Sequence, residues 1–247
     1  MFETLKIFFH QGKQYIPDVT KAKVPGIFRG RPIISNEKVE IKALQEICPT
    51  NAISGNPVTI DLGKCVFCGA CQKYFPNKIQ FTQDFKIATN NRTNLLIKEC
   101  IDSQIIFDKE ETRPEIRKSF KHSLKLRQVS AGGDNSCEWE LGATGNANFD
   151  MGRFGIEFVA SPRHADGIVI TGPITKNMAK ALEICYDAVP SPKIIICAGT
   201  DAISGGIFAD SPELDRTFID KHKVDLYIPG NPTHPLTIIN GLLDLTR

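Results

Sequence analysis

"FGIEFVASPRHADGIVITGPITKNMAKALEICYDAV", residues 154–189, decides the fold class. Two short runs rich in Ile, Val and Phe, "FGIEFVA" (154–160) and "GIVITG" (167–172), are closed by Pro or Gly and read as strands. The segment that follows, "TKNMAKALEICYDAV" (175–189), spaces its apolar residues at helix period. The pattern recurs downstream. "KIIICAG" (193–199) and "VDLYIPG" (224–230) are strand-like, and "HPLTIINGLLDLT" (234–246) is helical. Strands alternating with helices imply an α/β domain, a parallel sheet covered by helices on its faces, from about 126 to 247. Function in such sheets gathers beyond the carboxyl ends of the strands. Here that means the loops "TGPITKN" (171–177), "AGTDAISGG" (198–206) and "PGNPTHP" (229–235).

Upstream the texture changes. Residues 1–40 end in "VPGIFRGRPII" (24–34) and read as an extended arm that turns at its Pro and Gly residues. Residues 41–85 hold clustered cysteines. Residues 86–125 are polar, with "DKEETRPEIRKSFKHSLKLR" (108–127) expected as an exposed helix or linker. The chain has 247 residues and a net charge of +2, which suits one large or two small domains and offers no electrostatic footprint for nucleic acid or a membrane. "MFETLKIFFHQGKQYIP" carries charge and a proline where a signal peptide needs an apolar stretch. The longest apolar runs, such as "IIIC", are too short to span a bilayer. With eight cysteines and these features, the reading is a reducing, cytoplasmic compartment, with the cysteines as metal ligands or core residues rather than disulfides.

"KCVFCGACQKYFP", Lys64 to Pro76, has the rhythm C-x2-C-x2-C-x3-C-P with one exception. Cys65, Cys68 and Cys71 are present, but Phe75 stands before the proline. In two-cluster ferredoxins the cysteine before proline ligates the other cluster. A second Cys-Pro lies upstream in "ALQEICPTNAI", at Cys48 and Pro49. The three positions that should precede it as cysteines are Lys38, Ile41 and Leu44. Counted by cluster, one site has lost all four ligands (Lys38, Ile41, Leu44, Phe75) and the other keeps all four (Cys48, Cys65, Cys68, Cys71). Losing one cluster as a unit explains this sorting, with Ile41, Leu44 and Phe75 free to fill the vacated space. The expectation is one [4Fe–4S] cluster. Four cysteines with C-x2-C spacing also suit zinc, and that alternative stays open.

From about Lys121 the chain resembles the small, cluster-bearing subunit of group 4 [NiFe]-hydrogenases and formate hydrogenlyase, related to the cluster-N2, 20-kDa-type subunit of respiratory complex I. The stretches that carry the resemblance are "SLKLRQVSAGGDNSCEWEL", "FGIEFVASPRHADGIVITGPITKNM", "SGGIF" and "VDLYIPGNPTHP". "PGIFRGRPII" and the cysteine region resemble the ferredoxin-like subunit of the same complexes, so the chain looks like a fusion of two neighbouring subunits. The resemblance implies a flavodoxin-like parallel sheet preceded by a small α+β ferredoxin-like domain. It also implies a second, proximal [4Fe–4S] site, at positions that here are Asp134, Cys137, Asp201 and Asn231. Only Cys137 keeps a thiol, so a second cluster is not expected there. Asp134 and Asp201 leave open a hard cation instead. Cys100, Cys185 and Cys197 read as small core residues. Arg163 of "SPRHAD" is expected to form a structural ion pair. Glu138 and Glu140 stand where the family has acidic residues associated with proton movement, and a solvated or salt-bridged pair is the other reading.

The resulting expectation is an electron-transfer subunit of a membrane-associated oxidoreductase complex related to group 4 hydrogenases and complex I. No residue of the chain does bond chemistry, because the cofactor carries it. The implied partners are a large hydrogenase-like subunit, equivalent to the 49-kDa-type subunit of complex I, and other subunits of the complex. Membrane contact is expected only through those partners. The alternative is a structural or redox-sensing subunit with no through-going electron path.

Overall fold

Val, Ile and Leu run through the second half of the chain in blocks too short for helices, and each block becomes a buried strand. The computed structural model describes residues 2–12 and 14–247. The first half contributes α1 (Phe2–Gln11), β1 (Pro32–Ile34), α2 (Ile41–Glu46), β2 (Ile53–Ser54), β3 (Thr59–Asp61), α3 (Ala70–Tyr74), β4 (Ile79–Phe81) and β5 (Leu96–Lys98). The second half contributes α4 (Pro114–Phe120), β6 (Leu124–Ser130), α5 (Ser136–Ala143), β7 (Ile156–Phe158), β8 (Gly167–Thr171), α6 (Lys176–Ala188), β9 (Ile194–Ala198), α7 (Thr200–Ser204), α8 (Thr217–Lys221), β10 (Leu226–Ile228) and α9 (Pro235–Thr246).

The five later strands form one parallel sheet in the order β7-β6-β8-β9-β10. Numbered along the chain this is 2-1-3-4-5, the flavodoxin order. Every residue of β8 and β9 is buried, so alternate side chains feed two separate cores. Val169, Ile194, Ile196 and Ala198 face α4 and α9, against Ile116, Phe120, Leu236, Ile239 and Leu242. Ile168, Ile170, Ile195 and Cys197 face the other way, against Leu182 of α6 and Phe218 of α8.

The first half is α+β. β1 and β4 pair antiparallel, with Ile34 opposite Ile79, and β2, β3 and β5 form a second antiparallel sheet, with Ile60 between Ile53 and Ile97. Leu44, Ile60, Leu62, Ile79 and Leu95 of this half belong to the same continuous core as Ile168 and Ile195. The cysteine region is therefore packed onto the sheet.

Several sequence expectations are corrected. Phe2–Gln11 is a helix, not part of an extended arm, and none of its residues is buried. The helix of 108–127 is short and half-buried rather than exposed. Ile116 and Phe120, one turn apart, dock on α9. β6, beside the sheet centre, is missing from the strands read in the sequence, because its apolar residues alternate with Lys125, Arg127 and Gln128 instead of running together. No helix among the described residues is long and apolar enough to cross a membrane.

Candidate metal centre

Cys48 follows the last turn of α2, Cys65 follows β3, and Cys71 lies in the first turn of α3, with Cys68 between them. All four line one cleft, closed by Ile53, Ile60 and Phe81, with a cavity volume of only about 20 Å³. Cys65 and Cys71 are buried, Cys48 is half-buried and Cys68 is exposed at the rim. The backbone bends tightly around them. Phe67 takes φ +52° and Gly69 φ +76°, a left-handed pairing that costs a side-chain-bearing residue energy and turns amides inward. Two amides already point at sulfur: Ala52 N–H donates to Cys48 Sγ (3.2 Å) and Phe67 N–H to Cys65 Sγ (3.4 Å). The loop is braced from outside. Arg29 Nε donates to the Phe67 carbonyl (2.6 Å), and Arg92 clamps Asp61 through two bonds (2.8 and 2.7 Å) at the loop's start.

Burial keeps two of these thiols in the neutral form. Burial pushes the Cys65 thiol up to about 12; the Phe67 amide opposes this, and the neighbouring Cys71, Cys48 and Cys68 charges add to it. Burial, with Cys68 and Cys48 beside it, raises Cys71 to about 11. Buried thiols such as Cys65 and Cys71 become thiolates when bound positive charge lies beside them. Soft thiolates, amide hydrogen bonds to sulfur and an enclosed apolar cleft are the setting of an iron–sulfur cluster, so the residues fit that group. No three His, Cys, Asp or Glu side chains among the described residues are arranged around a single ion. A cubane asks for something else, one thiolate at each iron corner.

The four positions expected to have lost a second ligand set differ in burial. Leu44 is fully buried, Phe75 packs partly buried beside it, Ile41 is half-buried and Lys38 is exposed. Nearby, the buried Lys78 bonds Glu99 (2.8 Å) and the Ser35 carbonyl (2.8 Å), an ion pair with no recognisable sequence signal.

The cysteine loop sits directly on the second candidate site. Thr200, at the start of α7 and fully buried, donates its hydroxyl to the Cys65 carbonyl (2.8 Å), with the Gly230 carbonyl at 3.2 Å. The next residue is Asp201. Asp134, in the loop after β6, Cys137, in the first turn of α5, and Asp201, in the first turn of α7, lie close enough for their charges to act on one another. The β10 loop closes against them. The Thr233 amide reaches the Cys137 sulfur, and Gly199, at φ +96°, leaves no space for a Cβ, which would stand 2.5 Å from that sulfur. Asn231, on the same β10 loop, instead lines an open pocket with Arg29, Phe67 and His234.

Burial, with Glu138, Asp201 and Asp134 adding to it, pushes the Cys137 thiol up to about 12. Asp134 satisfies its carboxylate locally, accepting from the Ser136 amide (2.9 Å) and hydroxyl (2.6 Å), and these bonds lower its pKa. Asp201 does not. Its buried Oδ1 has no partner among the described residues, and burial followed by Asp134 and Glu138 raises it to about 6. Three further expectations are corrected here. Glu138 is neither solvated nor salt-bridged: it is buried, and its Oε1 accepts from Ser130 (2.6 Å) and Thr171 (2.6 Å). Arg163 is exposed and forms no ion pair among the described residues. Cys197 is buried and Cys185 half-buried, but Cys100 is exposed, at φ +61°, and is not a core residue. Thr200 and Arg29, which brace the cysteine loop, do not stand out in the sequence, because a lone Thr and a lone Arg carry no pattern.

Residues 135–245 match the family described as NADH ubiquinone oxidoreductase, 20 Kd subunit. The "Probable membrane-bound hydrogenase subunit mbhJ" of Pyrococcus furiosus is 35% identical over 134 residues, which is 54% of this chain and 80% of that protein. An NADH-quinone oxidoreductase subunit from Citrifermentans bemidjiense is 43% identical over 109 residues, 44% of this chain and 64% of the relative, so the chain spans just under two thirds of it. Among solved structures, a chain of the membrane-bound sulfane sulfur reductase, an archaeal respiratory membrane complex, is 31% identical with a TM-score of 0.46, covering 54% of this chain and 73% of that one.

Proposed function

The chain belongs to the family of the 20 Kd subunit of NADH ubiquinone oxidoreductase, and from that membership we propose that it is an iron–sulfur electron-transfer subunit of a membrane-associated oxidoreductase complex related to group 4 hydrogenases and complex I. Cys48, Cys65, Cys68 and Cys71 hold its one [4Fe–4S] cluster. The observation that carries this reading is the convergence of those four thiols, seventeen residues apart at their widest gap in sequence, on a single apolar cleft. Residues 41–85 act as the ferredoxin-like part, fused through 86–125 to the sheet domain of 126–247, with 1–40 as the leading segment.

A cluster bound in the cleft supplies one-electron storage and transfer. The chain's own residues do the rest. Ile53, Ile60 and Phe81 keep water from the sulfurs. The Ala52 and Phe67 amides stabilise thiolate charge. Thr200 ties the Cys65 backbone to the end of the sheet. Around the second site Trp139, Ile207 and Phe208 are exposed, an apolar rim suited to a large partner subunit such as the hydrogenase-like or 49-kDa-type one. The protein works peripheral to the cytoplasmic membrane as part of that complex.

A second reading is favoured by Asp134, Asp201 and Asn231. Hard or neutral donors stand where the electron path would continue, and the one remaining thiol, Cys137, is held protonated. On that reading the chain is a structural or redox-sensing subunit, and a large partner lacking its own nickel-ligand cysteines would support it.

The site assignment is tested by substitution. Cys48→Ala should abolish the native four-iron EPR signal of the reduced protein or convert it to a three-iron form. Cys100→Ala and Cys185→Ala should leave the iron content unchanged. A normal four-iron spectrum in Cys48→Ala would remove Cys48 from the site.

A further inference from the structure

The β10 loop and the segment 25–29 face each other across a cavity of about 310 Å³, the lower end of the size range of small-molecule sites. A turn in which the Phe28 amide donates to the Pro25 carbonyl (2.9 Å) carries Ile27, Phe28 and Arg29 to one wall. Asn231 and His234, in the loop before α9, form the other, and the Phe28 and His234 rings meet edge to face at 5.2 Å. Phe67 of the cysteine loop, Ile87 and Thr237 complete the lining, and no cysteine belongs to it. The cavity thus lies where the two halves of the chain meet, apart from the cleft of the four cysteines.

Its polar groups are of one kind. Thr237 is only 1% exposed, it lines the cavity, and its hydroxyl makes no hydrogen bond among the described residues. The Asn231 side-chain amide is likewise unpaired among the described residues. His234 Nδ1 accepts from the Leu236 amide (3.1 Å), and burial lowers the pKa of the ring, so the imidazole is neutral and carries its proton on Nε2. Arg29 uses only Nε, on the Phe67 carbonyl (2.6 Å), and forms no ion pair among the described residues. A guanidinium and an Nε2–H can only donate, and Thr and Asn side chains donate as well. No Asp or Glu lines the cavity. A buried hydroxyl without a partner costs free energy until something pairs with it. Donors gathered around a fixed cation are best matched by an anionic acceptor.

We propose that this cavity binds a small organic carboxylate, its charged end on the polar lining of Arg29, Asn231, His234 and Thr237 and its apolar body against Phe28, Phe67 and Ile87. Two observations select this class. Positive charge with no carboxylate beside it favours an anion over a cation or a neutral amide. The rest of the lining is ring and aliphatic surface, with Ile27 left 86% exposed at its edge, and this favours a guest with an apolar body over inorganic phosphate. Asn231 holds a position that the family resemblance assigns to a cluster ligand, and without a thiol it is free to serve a different guest. Arg29 also braces the cysteine loop, so guest and loop share one side chain. The inference goes beyond the proposed function and does not depend on the cysteine cleft holding a cluster.

The test is fluorine NMR of para-fluorobenzoate titrated with the full-length chain. Para-fluorobenzamide serves as the neutral isostere, inorganic phosphate as the competitor and circular dichroism as the check on folding. Para-fluorobenzoate should bind saturably, and the benzamide at least about tenfold more weakly, through loss of the charge-assisted hydrogen bond. Arg29→Gln and Thr237→Val should each weaken benzoate binding about tenfold. Arg163→Gln removes an exposed cation outside the cavity and should change it less than about twofold. No saturable binding by wild type, or equal affinity for the benzamide, overturns the site. Folded Arg29→Gln and Thr237→Val variants that bind as wild type does overturn its location, as does an equal loss from Arg163→Gln. If Arg29→Gln does not fold, the nearly isosteric Thr237→Val decides. Displacement of the benzoate by an equal concentration of phosphate overturns the organic class. Iron content tests the functional reading separately and is unaffected by any of these results.

Discussion

Replacing Asp201 with Asn should stabilise the folded chain at neutral pH. Asp201 is 9% exposed, its Oδ1 has no hydrogen-bond partner among the described residues, and Asp134 and Glu138 place negative charge beside it. These causes raise its carboxyl from the ordinary 3.8 to about 6. An acid whose pKa is higher folded than unfolded favours the folded state while it is protonated. Its contribution is complete below 3.8 and is lost as the pH rises through about 6. At ~1.36 kcal/mol per unit the shift amounts to at most ~3 kcal/mol, and solvent access to the rest of the carboxylate reduces this to about 1–2 kcal/mol. Asn keeps the volume and removes the charge. Urea unfolding of the anaerobically purified protein, followed by circular dichroism, should show Asp201→Asn more stable by that amount at about pH 7.5, with the gap closing toward about pH 4. A variant no more stable than wild type at neutral pH, or a gap that does not change with pH, would refute the account of Asp201 as a buried, unpaired charge.

Two other perturbations probe the junction between the halves. Thr200→Val removes the hydroxyl bonded to the Cys65 carbonyl inside a fully buried contact; it should cost about 1–3 kcal/mol in unfolding free energy and hasten cluster loss to a chelator, read by visible absorption. Gly199→Ala should destabilise by at least ~1 kcal/mol, because its φ of +96° disfavours any side chain and the new Cβ would press on Cys137 Sγ; unchanged thermal unfolding would mean the β9 loop relaxes freely.

The strands of the sheet are legible where a strand is buried on both faces. "GIVITG" and "KIIICAG" announce β8 and β9 because each of their side chains must enter one of two cores. β6 escapes because its polar residues are only half-buried at Lys125, Arg127 and Gln128, which breaks the apolar run. Ile116 and Phe120 do carry the helical signal of a docked face, but the charges around them suggest an exposed one. The helix of residues 2–11 has no start signal to set it apart from an arm. The cysteine group is legible as four spaced thiols, and the fold brings all four to one cleft. Its bracing by Arg29, Arg92 and Thr200 is not, since single polar residues gain meaning only from partners far along the chain. Asp134 and Asp201 look alike in sequence. One closes a local turn with Ser136, and the other is left unpaired by a loop that folds over it.

The most direct measurement is the iron and acid-labile sulfide content of the anaerobically purified full chain, taken together with EPR of the reduced protein. One cluster held by Cys48, Cys65, Cys68 and Cys71 predicts about four iron and four sulfide per chain and a single, non-interacting signal. About eight iron with two interacting signals would show that the Asp134–Cys137–Asp201–Asn231 site also holds a cluster, and a zinc-only protein would show that the cleft is not an iron–sulfur site.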